Sequence, residues 1–176
     1  MRLVRLLLSS LLISPLLVAA APPSPDARLR AIIAPVSAER LRADVAGLVS
    51  FGTRHTLSSQ TDPKRGIGAA LTWGEAQFHA DSAACGGCLV TARPTTTVQG
   101  ERVPVPTRLT DVIAIQLGTE RPNDVVIITG HIDSRVSDIL NANAFEPGAN
   151  DDGSGSAAVL EAARVLSKHK FPGTIV

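Results

Sequence analysis

"VVIITGHIDS", residues 125–134, decides the fold. Residues 125–130 are an apolar run closed by a glycine. Such a run reads as a strand buried on both faces. His131 follows it directly. In open α/β sheets, ligands bind beyond the carboxyl ends of such strands, so a histidine here stands where chemistry is done.

Downstream lies "EPGANDDGSG" (146–155), a glycine-rich turn with two adjacent carboxylates, Asp151 and Asp152. A phosphate loop needs a lysine followed by serine or threonine after its second glycine. Here Gly153 is followed by Ser154 and Gly155, and the two aspartates would repel phosphate. A serine-hydrolase elbow needs glycines two residues either side of the serine. Ser154 has Asp152 and Ser156 there, so that reading fails too. The carboxylate pair itself remains. It precedes "SGSAAVLEAARVLSKHK" (154–170), in which Val159, Leu160, Ala163 and Leu166 share one helical face. A helix N-terminus carries partial positive charge and free N–H groups, which favour an ionised carboxylate. Such a carboxylate either caps the helix or ligates a metal. If the turn returns to the sheet edge beyond residue 130, His131 and Asp151 converge as a histidine–carboxylate pair of the kind zinc takes. Asp133 could then accept the imidazole's other N–H.

The rest of the chain alternates in the same α/β manner. Ser37 is placed to cap a helix carrying Leu41, Val45 and Leu48 at helical spacing. "GTRHTLSSQTDPKRG" (52–66) is polar and turn-rich and reads as a surface loop. Residues 67–80 read as a second helix, with Ile67, Leu71 and Phe78 on one side. "CLVTARPTTTV" (88–98) and "TRLTDVIAIQLG" (107–118) are β-branched and read as a hairpin-like pair. "RPND" (121–124) reads as a turn, and "TIV" (174–176) as the start of another strand. Because the sequence stops within that strand, a C-terminally truncated domain is expected. His55 and His79 are expected at the surface or the core edge, and His169 at the far end of its helix.

Residues 1–20 carry Arg2 and Arg5, an apolar "LLLSSLLISPLLV" and small residues at Ala19–Ala21. That is the pattern of a secretory signal peptide. The apolar run is shorter than the ~20 residues of a spanning helix, and Pro15 interrupts it, so a membrane anchor is disfavoured. An exported protein, periplasmic or extracellular, with no membrane attachment after cleavage is expected. Residues 21–37 read as a loose Pro-rich leader and 38–176 as the folded part. Seventeen basic side chains against sixteen acidic ones leave no electrostatic footprint for nucleic acid. With four Phe, one Trp and no Tyr, a base-stacking surface is also disfavoured. Cys85 and Cys88, in "CGGC", are too few for a four-ligand zinc site and lack the helix that follows a redox CxxC. A local structural disulfide or two quiet thiols is the reading retained.

"TGHIDS", then "PGANDDGSG", then "AAVLEAARVL" together resemble the M28 family of zinc metallopeptidases, mostly aminopeptidases. "LVSFGTRHTLSS" (48–59) and "GIGAALTWGEAQF" (66–78) resemble the N-terminal part of its secreted bacterial members, so the likeness covers residues 38–176. The resemblance implies a mixed β-sheet flanked by helices, two zinc ions and peptide substrates cleaved at their N-termini. It implies His131 as a zinc ligand, Asp133 as the carboxylate orienting it, and Asp151 as the bridge between two zinc ions. Asp152 follows across a peptide bond that is cis in the family. The family also needs a Glu–Glu pair, whose first member is the general base, then an Asp and a His. All four follow the strand that begins here at Thr174 and are absent from these residues. The expectation is therefore weak zinc binding and no peptidase activity from this chain alone. A glutaminyl cyclase-like enzyme of the same fold and a non-catalytic binding domain are the competing readings. N-terminal sequencing of the exported protein is expected to begin at or near Ala21; an exported chain that keeps Met1 would contradict the signal-peptide reading.

Overall fold

The computed structural model describes residues 24–176, so the signal-peptide segment lies outside the described residues. Helix α1 (Pro25–Ile33) is followed by α2 (Ala38–Ser50) and α3 (Ile67–Ala84). Then come β1 (Val90–Ala92), β2 (Thr95–Gly100), β3 (Val103–Thr110), β4 (Ile113–Ile115) and β5 (Arg121–Val126). A wide helical turn (Ala149–Gly153) leads into α4 (Ser154–Leu166), and β6 (Gly173–Ile175) closes the order.

Local chemistry sets the helix starts. Ser37 Oγ accepts from Arg40 N at 3.2 Å and caps α2, as its position predicts. Ser58 Oγ accepts from Ile67 N at 2.9 Å and does the same for α3 from outside the helix. The leader differs from its expectation. Pro25 sits at the first helical position, where its missing N–H costs nothing, and Ser24 caps the turn. The result is α1, a helix with no buried residue.

The sheet is mixed, in agreement with the expected fold class. β1 pairs antiparallel with β4, and β5 pairs parallel with β6. An antiparallel bridge between Gln116 and Ile175 joins the two pairs. β2 and β3 form a separate antiparallel hairpin. The parallel pair is connected through α4, as parallel neighbours require a crossover. Cys85 and Cys88 form a disulfide just after α3, which settles the choice left open for "CGGC".

Two readings change. "RPND" is not a turn: residues 121–124 open β5, with a register irregularity between Arg121 and Val125. Nor is the apolar run 125–130 buried on both faces. Val125, Val126 and Ile127 are at least half exposed. A strand is buried only when neighbours cover its edges and layers cover its faces. Among the described residues β6 covers one edge, and Ile127 and Ile128 border a cavity of about 710 Å³ with Leu71, Phe78 and Leu160.

The closed core lies where α2, α3 and α4 meet, around Leu48, Ala70, Leu71, Ala157, Leu160 and Val165. Glu161 is buried there with its partner supplied. Arg164 donates to both its oxygens, at 2.6 and 2.7 Å, and Ser37 N donates at 2.6 Å. Arg164 also donates to Pro35 O, so one ion pair ties α4 to the α1–α2 junction. The hydrogen bond from Arg164 lowers the Glu161 carboxyl below its ordinary 4.5, against the opposing effect of burial. Asp44 and Asp81 behave in the opposite way. Each keeps one buried oxygen without a partner, and burial raises both carboxyls.

Glu161, lowered in the folded state, supports the fold above its unfolded value; that support is lost as the pH falls through the folded one. Glu161→Gln is therefore expected to lower stability near neutral pH and to flatten its decline below about pH 4.5. Denaturant melts across pH check this, and an unchanged acid limb would refute it.

Candidate metal centre

The end of the β5 segment and the start of α4 are brought into contact backbone to backbone. A Cβ on Gly130 would lie 2.8 Å from Gly155 C and Ser156 N, so only glycine permits this approach. The first turn of α4 then holds the His131 backbone from both sides. His131 N donates to Asp152 Oδ2 at 3.0 Å, and Ser156 Oγ donates to His131 O at 3.1 Å.

The two aspartates divide the roles that the sequence left open. Asp152 is the cap: its Oδ1 accepts from Gly155 N at 3.0 Å while Oδ2 takes His131 N. Asp151 is turned outward, its side chain 89% exposed, with Oδ1 3.0 Å from His131 Nε2. The peptide bond between the two is cis, as the resemblance implies. On the other side of the imidazole, Nδ1 lies 3.2 Å from Asp133 Oδ1 and 3.3 Å from Asp133 O. His131, Asp133 and Asp151 are thus brought together in a row. Partial burial would lower the imidazole's pKa, but the charges of Asp133 and Asp152 and the Asp133 hydrogen bonds outweigh it and raise it above 6.5.

The row opens into a polar cavity of about 620 Å³ lined also by Glu146, Arg102 and Arg135. Its donor chemistry suits a metal in part. With Nδ1–H engaged by Asp133, a neutral imidazole would keep its Nε2 lone pair for a metal, and Asp151 Oδ1 stands 3.0 Å from that nitrogen as a second oxygen donor. Among the described residues, no group of three or more His, Cys, Asp or Glu side chains is placed to hold a metal ion. His131 and Asp151 supply two donors of a shell. His79 and His169 lie outside the row, and His55, expected at the surface or the core edge, is buried, with Nε2 3.1 Å from Ile139 O.

Sequence reading missed Arg54. The loop 52–66, expected at the surface, turns inward at Thr53, Arg54 and His55. Arg54 is fully buried and donates to four backbone carbonyls: Ile132 O at 2.6 Å, Leu48 O at 3.0 Å, Pro147 O at 2.5 Å and Gly148 O at 3.0 Å. Burial lowers its pKa, while the charges of Asp133 and Glu146 oppose the change. Ser134 adds a second bridge, accepting from Arg54 N at 3.0 Å and donating to Glu146 O at 2.7 Å. Gly148, at φ +48°, sits inside this knot; a Cβ there would lie 2.5 Å from Ser134 Cβ and 2.7 Å from Asp151 O. No local pattern announces Arg54, because three of its acceptors lie about eighty or more residues away.

Residues 111–176 match the family model Peptidase family M28. A probable zinc metalloprotease of Pyrenophora teres f. teres is 45% identical over 157 residues, covering 88% of this chain and 32% of the relative. The chain is thus similar to peptidase family M28, most directly over residues 111–176. It spans about a third of the length of the curated relatives it matches. LapB from Legionella pneumophila shares the fold at TM-score 0.63 and 22% identity, over 88% of this chain and 38% of that one. The LapA aminopeptidase of the same organism does so at 0.60 and 19%, over 95% and 40%. Fimbriiglobus ruber glutaminyl cyclase does so at 0.62 and 18%, over 80% and 44%.

The division between the aspartates has a direct test. Asp152→Ala removes a helix cap and the acceptor for His131 N, and is expected to cost roughly 1–2 kcal/mol. Asp151→Ala removes an exposed side chain and is expected to stay within about 0.5 kcal/mol of wild type. Denaturant unfolding of both variants checks this, and the reverse order would contradict it.

Proposed function

We propose that this chain carries part of the zinc site of an exported metallopeptidase that removes N-terminal residues from peptides. One observation carries the reading: His131 Nε2 and Asp151 Oδ1 meet at 3.0 Å while Asp133 engages the opposite ring nitrogen. Zinc, when bound, supplies a water acidified to near neutral pH and a positive centre for the developing oxyanion.

The chain's own residues prepare that site. Asp133 holds the Nδ1 proton, so His131 presents its Nε2 lone pair in one orientation. Asp152 occupies the N–H groups at the start of α4, which leaves Asp151 uncommitted. When zinc is bound, Asp151 would supply an outward carboxylate oxygen to it beside His131 Nε2. Two donors bind zinc weakly, and this chain alone gives no turnover. Support for the aminopeptidase assignment comes from the fold shared with LapA, and for zinc from relatives described as probable zinc metalloproteases. The fold shared with a glutaminyl cyclase supports a second reading, in which the same residues serve cyclisation of an N-terminal glutamine.

Zinc titration of the wild-type chain, His131→Ala and Asp151→Ala tests the site. Weak binding that both substitutions abolish is expected; equal stoichiometry in all three proteins would sink the assignment. No aminopeptidase turnover is expected from purified residues 22–176, and measurable turnover would overturn that part of the reading.

A further inference from the structure

The spacing of His131 and Asp151 is not set by the residues themselves. His131 ends one segment, and Asp151 lies beyond an irregular loop from 134 to 148 with an exposed side chain. Asp152 and Ser156 tie the His131 backbone to the start of α4; the loops on either side are fixed at backbone carbonyls. Ile132 O lies between His131 and Asp133, while Pro147 O and Gly148 O lead into the turn that carries Asp151. One guanidinium reaches all three and is anchored on Leu48 O at the C-terminal end of α2. We propose that Arg54 is a positioning residue for the zinc site, acting through the loops that carry His131 and Asp151 rather than by touching metal or substrate. This rests on the zinc reading given above.

The chemistry of the group explains why it must be arginine. A guanidinium presents five N–H donors in a rigid plane and stays charged when buried. Lysine offers three donors from a single nitrogen and cannot span carbonyls on three separate segments. Ser134 repeats the link, joining the Arg54 backbone N–H to Glu146 O through one hydroxyl. The loops on either side of the site are therefore held by one buried residue at both its side chain and its backbone.

The test uses the whole chain and zinc alone as probe, followed by amide chemical shifts of His131 and Asp151. Arg54→Lys is expected to weaken zinc binding at least tenfold. In the zinc-free protein it is expected to speed hydrogen exchange at residues 146–153 at least tenfold while α2–α4 stay protected. Phe78→Ala, a core truncation in α3, is the stability control and is expected to keep zinc affinity within twofold. If Arg54→Lys folds and both readouts stay within twofold of wild type, the proposal is overturned. It is also overturned if Phe78→Ala loses as much zinc affinity. Should Arg54→Lys fail to fold, Ser134→Ala decides: at least threefold weaker binding supports the proposal, and unchanged binding overturns it. Failure of the underlying zinc reading is separable, because His131→Ala would then bind zinc as wild type does.

Discussion

A buried positive charge facing only backbone carbonyls is the constraint on which the rest of this structure depends. Among the described residues Arg54 has no exposed surface and no carboxylate in direct contact. Its desolvation is offset by four oriented peptide dipoles and by the longer-range charges of Asp133 and Glu146. Those carbonyls come from the end of α2, the segment after β5 and the turn before α4. Remove the guanidinium and Ile132 O and Pro147 O lose the donor shown for them, at about 1–3 kcal/mol apiece, whereas Leu48 O and Gly148 O keep Phe51 N and Gly153 N. The loops are therefore held together more firmly than their lack of regular structure suggests.

On that frame the acidic turn resolves a conflict. A helix N-terminus favours negative charge, and a metal also needs it. One carboxylate cannot satisfy both with the same oxygens. The sequence places two in succession, and the fold points them apart. Asp152 faces the N–H groups of α4 and His131, whereas Asp151 faces the cavity. Gly130 lets the two backbones close up and Gly155 leaves room for the Asp152 carboxylate, which so reaches both a helix and a strand end. The cap is thus what frees its neighbour for chemistry.

Much of the site was legible because it is local. His131 and Asp133 are two residues apart at the end of an apolar run, and Asp151 lies in a turn whose charge excludes phosphate. The helices were legible too, through capping serines and apolar spacing. What failed were statements about surroundings. A polar, turn-rich stretch gave no sign that Thr53, Arg54 and His55 turn inward, because polarity predicts exposure only when no partner is supplied from elsewhere. The apolar run at 125–130 predicted a strand but not its coverage. Burial belongs to the neighbours, and among the described residues β6 covers one edge alone. The leader's helix was hidden behind its prolines, although one of them stands where a helix accepts it.

The sequence by itself determined the α/β alternation, the helix caps, the likeness to a peptidase family and the residues that could bind a metal. Each is a matter of residue type and spacing along a few turns of chain. Tertiary structure alone decided which aspartate caps and which faces the cavity, and that a buried loop arginine bonds carbonyls beside both His131 and Asp151. Those outcomes depend on hydrogen bonds between groups about eighty or more residues apart, whose partners no local pattern encodes.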